Sequence, residues 1–366
     1  MANYINVLHG APVVQRYNVT IDEYDLRTGV LNLMKLLRPH WKSSEVKMKY
    51  FTDGITNKLI GCYVGGAKEE VVLVRIYGNK TELFVDRENE VKSFRVLQAH
   101  RCAPQLYCTF RNGLCYEFLQ GHPLDPKHLR NPFMFRLIAR HVAQYHSIRL
   151  PDSSAPKASL WLKMDQYLSL APAHLQDPAQ NLRFSKSVPR TERLRQEMLW
   201  LQRSLSALDS PVVLCHNDLL SKNIIYNQSA GVSEVDYSLY PDQSLQLQWL
   251  RAYLEAYNAL RGQGEEVSNR EVEVLYVQVN NFALASHFLW ALWAVIQAEH
   301  SSIDFDFLGY AILRFDQYFK MKPEVTALTL SKQNVLYSMA VSLTDRESPL
   351  VDIVGSTGSL SPVLRT

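Results

Sequence analysis

Residues 216–223 carry the side chains best suited to chemistry in this chain. Asp218 and Asn223 stand five positions apart, directly after the apolar run 211–215. Phosphoryl transfer uses an Asp to accept the proton of an attacking hydroxyl, and an Asn oxygen to hold a magnesium ion that neutralises phosphate charge. The spacing therefore predicts a catalytic loop with Asp218 as the base and Asn223 as a metal ligand. A plain Asn-Asp turn between two strands is the alternative, because both residue types favour turns.

Rigid elements must hold such a loop at both ends. The short apolar runs 211–215 and 224–226 are predicted as strands that flank it. Apolar residues recur at helical spacing in several segments beyond Gly121, which predicts a mostly helical region around the loop. The predicted helices are 132–148, 160–170, 193–208, 243–260, 269–300 and 303–319, with 150–188 read as an irregular insertion around the second of them.

The first third of the chain shows strand patterns instead. A leading helix near 21–38, with Thr20 and Asp22 as candidate caps, precedes a run of strands and one helix. The predicted strands are 46–52, 55–64, 71–77, 105–110 and 114–119, and the helix is 85–100. The fold class is therefore predicted as α+β and bilobal. The predicted parts are a flexible tail 1–20, a sheet-containing N-lobe 21–120, a helical C-lobe 121–325 that includes the loop 216–223, and a tail 326–366.

Composition narrows the function classes. A length of 366 residues with 47% hydrophobic content supports two lobes. The net charge of +3 is dispersed, so no nucleic-acid partner is expected. Five cysteines without a CxxC pair predict reduced thiols in a cytoplasmic protein. The N-terminus lacks a signal peptide pattern, and the apolar stretch 282–296 is shorter than the ~20 residues of a membrane span, so no transmembrane segment is expected.

The chain contains no Walker A motif, so a different segment would have to cover the phosphates. The hairpin at 51–58 is the candidate. Gly54 permits a positive φ, and donors on Thr52, Thr56 and Asn57 could face phosphate oxygens. An ordinary Asp-Gly turn is the alternative reading.

Arg75 is a charge inside the apolar strand 71–77. An unpaired buried guanidinium is costly, so a partner is expected, either a phosphate or the carboxylate of Glu90 on the following helix. A cation paired with a helix glutamate is also how kinase folds place a positive charge over nucleotide phosphates. The alternative is an edge strand with Arg75 in water.

Trp290 and Trp293 lie three positions apart, on one face of a predicted helix. Two neighbouring indoles attract an ammonium group by cation–π interaction, worth about 2 kcal/mol when desolvated. Core packing is the alternative role of such a pair. His287, close by, is expected to be a core histidine.

These motifs together resemble the choline/ethanolamine kinase family over residues 38–325. The resemblance rests on 51–59, 72–78, 216–220 with Asn223, and 282–290. It implies a protein-kinase-like fold and transfer of the ATP γ-phosphate, with Mg²⁺, to the hydroxyl of an amino alcohol. Leu219 and Leu220, which follow Asp218, favour the ethanolamine kinases of the family over the choline kinases. Choline as a second substrate, and homo- or hetero-oligomers, are left open.

The resemblance also implies a role for each candidate residue. The hairpin covers the phosphates, Arg75 and Glu90 steady them, the connection after the fifth N-lobe strand meets adenine, and aromatic side chains line the ammonium site. The implied residues are Asp218 as base; Thr52, Gly54, Thr56, Asn57, Arg75, Glu90, Glu117, Phe118 and Leu119 for ATP; Asn223 for magnesium; and Trp290, Trp293 and Tyr310 for the substrate.

The resemblance breaks after residue 226. The family continues there with a strand whose Asp binds magnesium and with a Glu-bearing helix, and this chain has neither. Asp236 lies near the position of the missing Asp and is a candidate metal ligand. A linker carboxylate is the alternative, because 232–235 is poorly apolar for a central strand.

Three functions remain open from the sequence. The first is an ethanolamine kinase, and the second is a catalytically impaired isoform or pseudokinase that acts as a binding partner. The third is a related phosphotransferase such as an aminoglycoside kinase, in which the pair Trp290 and Trp293 would not be expected.

Overall fold

The described residues form a sheet-containing unit and a helical unit. The computed structural model describes residues 14–51, 57–65, 70–78, 86–148, 158–226, 240–264, 266–301 and 303–328. Their elements are β1 (Gln15–Tyr17), α1 (Leu26–Leu37), β2 (Lys47–Phe51), β3 (Asn57–Tyr63), β4 (Val71–Tyr77), α2 (Arg87–Ala99), β5 (Leu106–Phe110), β6 (Gly113–Glu117), β7 (His122–Pro123), α3 (Pro132–His146), α4 (Leu160–Leu170), α5 (Pro178–Ser187), α6 (Thr191–Ser206), β8 (Ile225–Tyr226), α7 (Gln243–Arg261), α8 (Asn269–His300) and α9 (Phe307–Thr326). In the first unit the described residues fall within 14–141 and 215–226, and in the second within 142–214 and 240–328.

A six-stranded sheet in the order β1-β5-β6-β4-β3-β2 is the frame of the first unit. β1 pairs parallel with β5, and the other neighbours pair antiparallel. The prediction of a flexible tail at 1–20 is therefore wrong for Gln15–Tyr17, which form β1. A three-residue strand is too short to produce a readable alternation of apolar and polar residues.

Helices pack on both faces of this sheet. Val72 of β4 shares a buried cluster with Leu33 of α1, whereas the next residue, Leu73, shares one with Phe94 of α2. Successive side chains of a strand point to opposite faces, so Arg75 lies on the α2 face with Leu73. This face is where the predicted cation and the predicted helix glutamate meet.

Aspartates cap both helices. Asp25 accepts the N–H of Thr28 at 3.3 Å, so α1 begins at Leu26 and not near the candidate caps proposed from the sequence. Asp86 accepts the N–H groups of Glu88 and Asn89, each at 3.1 Å, and α2 begins directly after it. Such caps satisfy N–H groups that have no partner inside the helix.

α8 and α9 carry the core of the second unit. The ring of Phe288 packs edge-to-face against Phe315 and Tyr318, with centroids 5.9 and 5.4 Å apart. α8 is long and apolar enough to cross a membrane by length and composition, and 67% of its most apolar window is buried inside the structure. That degree of burial is typical of a core helix, which agrees with the buried helix predicted around 282–296.

Two predicted segments differ from the structure. Residues 150–188 contain a second helix, α5, which follows an Asp177 cap and a proline at its first position. The predicted strand 211–215 is irregular and pairs with no strand in the part of the chain that the structure describes. An apolar run becomes a strand only where a neighbouring strand accepts its hydrogen bonds.

The predicted catalytic loop, residues 216–223, belongs to the sheet-containing unit, whereas the sequence placed it in the helical lobe. β8 pairs with β7, and the N–H of Leu124 donates to the carbonyl oxygen of Ile224 at 2.9 Å. The first unit also extends to residue 141, beyond the predicted boundary at 120. These hydrogen bonds tie the end of the loop to the segment that follows the sheet.

Candidate functional site

The backbone of the loop around Asp218 is held in a defined conformation. Asn217 has a φ of 61°, a left-handed value that Asn tolerates better than most residues. The N–H of Asp218 donates to Nδ1 of His216 at 3.3 Å, and a single 3-10 turn, Ser221–Asn223, closes the loop. From the sequence, His216 had no role and Asn217 was considered only as part of an alternative Asn-Asp turn.

The structure brings Asp218 and Asn223 together. Nδ2 of Asn223 donates to the backbone oxygen of Asp218 at 2.8 Å and to its Oδ2 at 3.2 Å. Since the amide nitrogen faces Asp218, the ligand atom for a cation would be the amide oxygen of Asn223. A carboxylate beside a carboxamide is a donor set that suits Mg²⁺, which prefers oxygen ligands.

Burial raises the pKa of Asp218 to about 6, and the hydrogen bond from Asn223 opposes part of this rise. A general base works best when its pKa lies close to the working pH. Burial and the charge of nearby His216 lower the pKa of His141 to about 4, so His141 is neutral near pH 7. The loop therefore offers a carboxylate that can take up a proton near neutral pH.

Arg75 and Glu90 form a buried ion pair. Each residue is 2% exposed, and Nη2 of Arg75 donates to Oε1 of Glu90. The alternative of an edge strand with Arg75 in water is wrong, because β4 lies between β3 and β6. Nε and Nη1 of Arg75 are buried and have no hydrogen-bond partner among the described residues. Orphaned cationic donors fit an anion such as a nucleotide phosphate.

Arg87 joins this pair, and sequence reasoning missed it. Its Nη1 lies 3.2 Å from Oε2 of Glu90, and its Cζ lies 3.5 Å from the centroid of the Tyr77 ring. The available signal was the spacing of Arg87 and Glu90, three positions apart on one helix, which places them on one face.

The connection predicted to meet adenine follows β6. The carboxylate of Glu117 accepts the N–H of Gln105 at 3.0 Å, and the N–H of Phe118 donates to the oxygen of Val71 at 3.3 Å. These groups are engaged by the protein itself. The ring of Phe118 stacks on Phe51, with centroids 6.3 Å apart. A nucleotide base would therefore meet this connection through the rings or through the backbone that follows.

Several predicted residues lie outside the described part of the chain. They are Thr52, Gly54, Thr56 and Asp236. The backbone of Asn57 is described and begins β3.

Trp290, Trp293 and Tyr310 belong to one chain of aromatic contacts in the second unit. The rings of Trp290 and Trp293 meet edge-to-face at 5.3 Å, and Trp293 meets Phe307 at 5.7 Å. Phe305 links Phe307, at 4.8 Å, to Tyr310, at 6.2 Å. The three predicted residues are half-buried, so their rings are not fully used by the core. Phe305 and Phe307 were missed. Phe307 joins the cluster through its tertiary contact with Trp293 of α8, and Phe305 joins through its local contacts with Phe307 and Tyr310.

His287 is a core histidine, as expected. It is 8% exposed, and burial together with the charge of Arg314 lowers its pKa to about 4.

Comparisons with known proteins point to one family. A model of the choline/ethanolamine kinase family matches residues 48–234 and 228–319. Ethanolamine kinase 1 of Homo sapiens is 60% identical over 359 residues, which cover 90% of this chain and 79% of the relative. Ethanolamine kinase 2 of Homo sapiens is 50% identical over 350 residues, which cover 88% of each chain.

Solved structures share the fold. The ethanolamine kinase of Plasmodium vivax superposes with a TM-score of 0.69 at 24% identity, over 86% of this chain and 92% of the other. The choline kinase of Cryptosporidium parvum Iowa II gives 0.62 at 21% identity, over 86% and 99%. The predicted protein-kinase-like fold class is confirmed.

The match to the family is interrupted near residues 228–234. The family model matches in two pieces that meet at 228–234. The alignment with the human relative extends over 359 positions but includes only 90% of 366 residues, about 330, so about 30 positions lack a counterpart here. With matches over most of its length and 60% identity to a curated relative, the chain belongs to the choline/ethanolamine kinase family.

Proposed function

We propose that this chain transfers the γ-phosphoryl group of ATP to the hydroxyl of ethanolamine and so makes phosphoethanolamine, a first step toward phosphatidylethanolamine. The observation that carries the proposal is Asp218, a carboxylate with a pKa of about 6 held against Asn223. The vertebrate relatives at 50–60% identity bear the name ethanolamine kinase, which supports the same substrate. A cytoplasmic location stays a prediction from the reduced thiols.

In this reaction Asp218 accepts the proton of the ethanolamine hydroxyl. The hydroxyl oxygen of ethanolamine forms a bond to the γ-phosphorus of ATP, and the bond between that phosphorus and the β,γ-bridging oxygen breaks to release ADP. Nε and Nη1 of Arg75 would donate to phosphate oxygens, with Glu90 balancing part of the arginine charge. Mg²⁺, when bound, would neutralise phosphate charge. Asn223 would hold it through its amide oxygen, and Asp236 is the second ligand proposed from the sequence.

The aromatic cluster of Trp290, Trp293 and Tyr310 would bind the ammonium group by cation–π attraction. Glu117, Phe118 and Leu119 would border adenine, and Thr52, Gly54, Thr56 and Asn57 would cover the phosphates. These assignments rest on the family resemblance and on the half-buried rings of α8 and α9.

The alternative is a catalytically impaired isoform or pseudokinase that acts as a binding partner. The comparisons give it no support, because the curated relatives are named as kinases. The aminoglycoside kinase hypothesis lacks support as well, since the family model that matches is that of choline/ethanolamine kinases.

An ADP-release assay on purified protein tests the proposal. We expect ethanolamine to stimulate ADP release in the presence of Mg²⁺ and ATP, with a higher kcat/KM than choline. Asp218→Ala is the background control. Ethanolamine-dependent release no greater than that of Asp218→Ala would contradict the proposed function.

Trp290→Leu tests the ammonium site. We expect KM for ethanolamine to rise about tenfold, the loss of a cation–π contact of about 1–2 kcal/mol, with kcat nearly unchanged because the hydroxyl end is untouched. Trp161→Leu is the matched control, since Trp161 is a half-buried tryptophan of α4 outside the aromatic cluster. Equal KM values in the two variants would show that Trp290 serves packing alone.

A further inference from the structure

Three charged side chains meet on the α2 face of the sheet. Glu90 binds Arg75 through Oε1 and Arg87 through Oε2. Arginine and carboxylate groups frequently pair through two parallel hydrogen bonds. Arg75 makes only one such bond to Glu90, and its Nε and Nη1 stay without a partner among the described residues. The second carboxylate oxygen, which could have taken one of those donors, is held by Arg87.

The position of Arg87 is fixed by more than this ion pair. Its guanidinium lies over the Tyr77 ring at 3.5 Å, and Tyr77 in turn lies 5.7 Å from Cζ of Arg75. Arg87 is the first residue of α2, where the positive end of the helix dipole disfavours a cation. Helix stability therefore does not explain an arginine here, whereas the contacts to Tyr77 and Glu90 do.

Glu90 is shared between two arginines, and the phenol of Tyr77 lies beside both. Two guanidinium groups share the single carboxylate of Glu90. The nearby carboxylate of Asp86 is engaged with the N–H groups of Glu88 and Asn89 at the start of α2. Burial raises the pKa of Tyr77 although both arginines lower it, so the phenol is neutral at physiological pH.

We propose that Arg87 is a positioning residue of the nucleotide site, which holds the second oxygen of Glu90 and thereby keeps two donors of Arg75 open for a nucleotide phosphate. The proposal rests on the proposed function for the identity of the anion. Without Arg87, Glu90 would turn both oxygens to Arg75 and compete with the phosphate for its donors.

Arg87→Met removes the side-chain donors of Arg87 and keeps an unbranched apolar side chain. We expect the unfolding midpoint without ligand to stay unchanged or to rise, since Arg75 gains a second bond to Glu90. The stabilisation by Mg-ATP should fall and KM for ATP should rise at least about tenfold, the loss of one hydrogen bond to a charged group. KM for ethanolamine should stay at the wild-type value. Arg195→Met, in an exposed ion pair with Asp165, is the matched control.

Arg87→Lys keeps a cation for Glu90 and should restore most of the ATP affinity. If Arg87→Met lowers the midpoint without ligand and leaves both the Mg-ATP shift and KM for ATP unchanged, Arg87 only anchors α2 and the proposal fails. If Arg87→Met weakens both folding and ATP binding, the behaviour of Arg87→Lys distinguishes a role in positioning Arg75 from a role in anchoring α2. Recovery of both supports the proposal, and recovery of folding alone overturns it.

The thermal measurement also separates this proposal from the proposed function. Stabilisation by Mg-ATP requires no phosphoryl transfer. A wild-type chain that Mg-ATP stabilises but that releases no ADP with ethanolamine contradicts the proposed function, while the comparison of Arg87→Met with Arg87→Lys still decides the role of Arg87.

Discussion

Asp218→Asn is expected to lower kcat for ethanolamine phosphorylation by about 10²–10⁴-fold, the usual contribution of a general base. The amide has nearly the same shape as the carboxylate but cannot accept the proton of the substrate hydroxyl. Asn223 would lose one acceptor, Oδ2 of Asp218, and keep its bond to the backbone oxygen at 2.8 Å. The loop should therefore retain its conformation, so the loss reports chemistry and not folding.

The raised pKa of Asp218 adds a stability prediction. Its value of about 6 in the folded protein exceeds the ordinary 3.8, because burial disfavours the charged form. The stability that this group contributes is fully present below pH 3.8 and is lost as pH rises through about 6. At about pH 8 the charged carboxylate lowers the free energy of unfolding by about 2–3 kcal/mol. Asp218→Asn should therefore raise the unfolding midpoint at that pH.

The same pKa predicts the pH dependence of the wild-type rate. The base must be deprotonated, so kcat/KM should rise with pH and level off above about pH 7, with an inflection near 6. The measurement is ADP release and thermal unfolding across that range. Asp209→Asn is the matched control, because Asp209 is exposed and its φ of 48° is tolerated by Asn equally well. A wild-type kcat in Asp218→Asn, or a lower midpoint at pH 8, would contradict this account of Asp218.

The sequence predicted the elements and pairs that depend on local spacing. Apolar strand patterns located β3 and β4, and apolar residues at helical spacing located α2. The charge of Arg75 inside a strand led to Glu90, because an unpaired buried guanidinium requires a partner. Asp218 and Asn223, which stand five positions apart in the sequence, are likewise in direct contact in the structure. In each case one rule about neighbouring residues was enough.

What the sequence did not predict depends on tertiary contacts. The contact of Trp293 with Phe307 requires α8 and α9 to pack together. The pairing of β1 with β5 joins residues more than ninety positions apart, and three residues carry too little pattern to reveal it. The run 211–215 failed as a strand for the opposite reason, since its pattern is right but no described neighbour pairs with it.

Arg75→Met is expected to abolish stabilisation by Mg-ATP and to lower the free energy of unfolding by about 3 kcal/mol, the lower end of the range for breaking a buried ion pair. Glu90 is 2% exposed and would lose its closest cation, although Arg87 still holds Oε2. Because Arg87 still pairs with Glu90, we expect the loss in the free energy of unfolding to lie at the lower end of that range. Chemical denaturation measures the change in the free energy of unfolding, and thermal shift with Mg-ATP measures the change in nucleotide binding.

The double variant Arg75→Met with Glu90→Leu separates the two roles of the pair. Replacing a buried ion pair by apolar side chains is often neutral or stabilising, so we expect most of the lost stability to return. Arg87 can tolerate this change, because its side chain is 22% exposed and reaches water. Nucleotide binding should not return, since the guanidinium donors of Arg75 are gone.

Arg195→Met is the control for removing an arginine as such. The Arg195 and Asp165 side chains are 50% and 54% exposed, and exposed pairs contribute at most about 1 kcal/mol. If the double variant regained both stability and the Mg-ATP shift, the pair of Arg75 and Glu90 would serve folding alone and the phosphates would be held elsewhere. If it regained stability only, the buried charge is retained for the nucleotide, because the sheet itself does not need it.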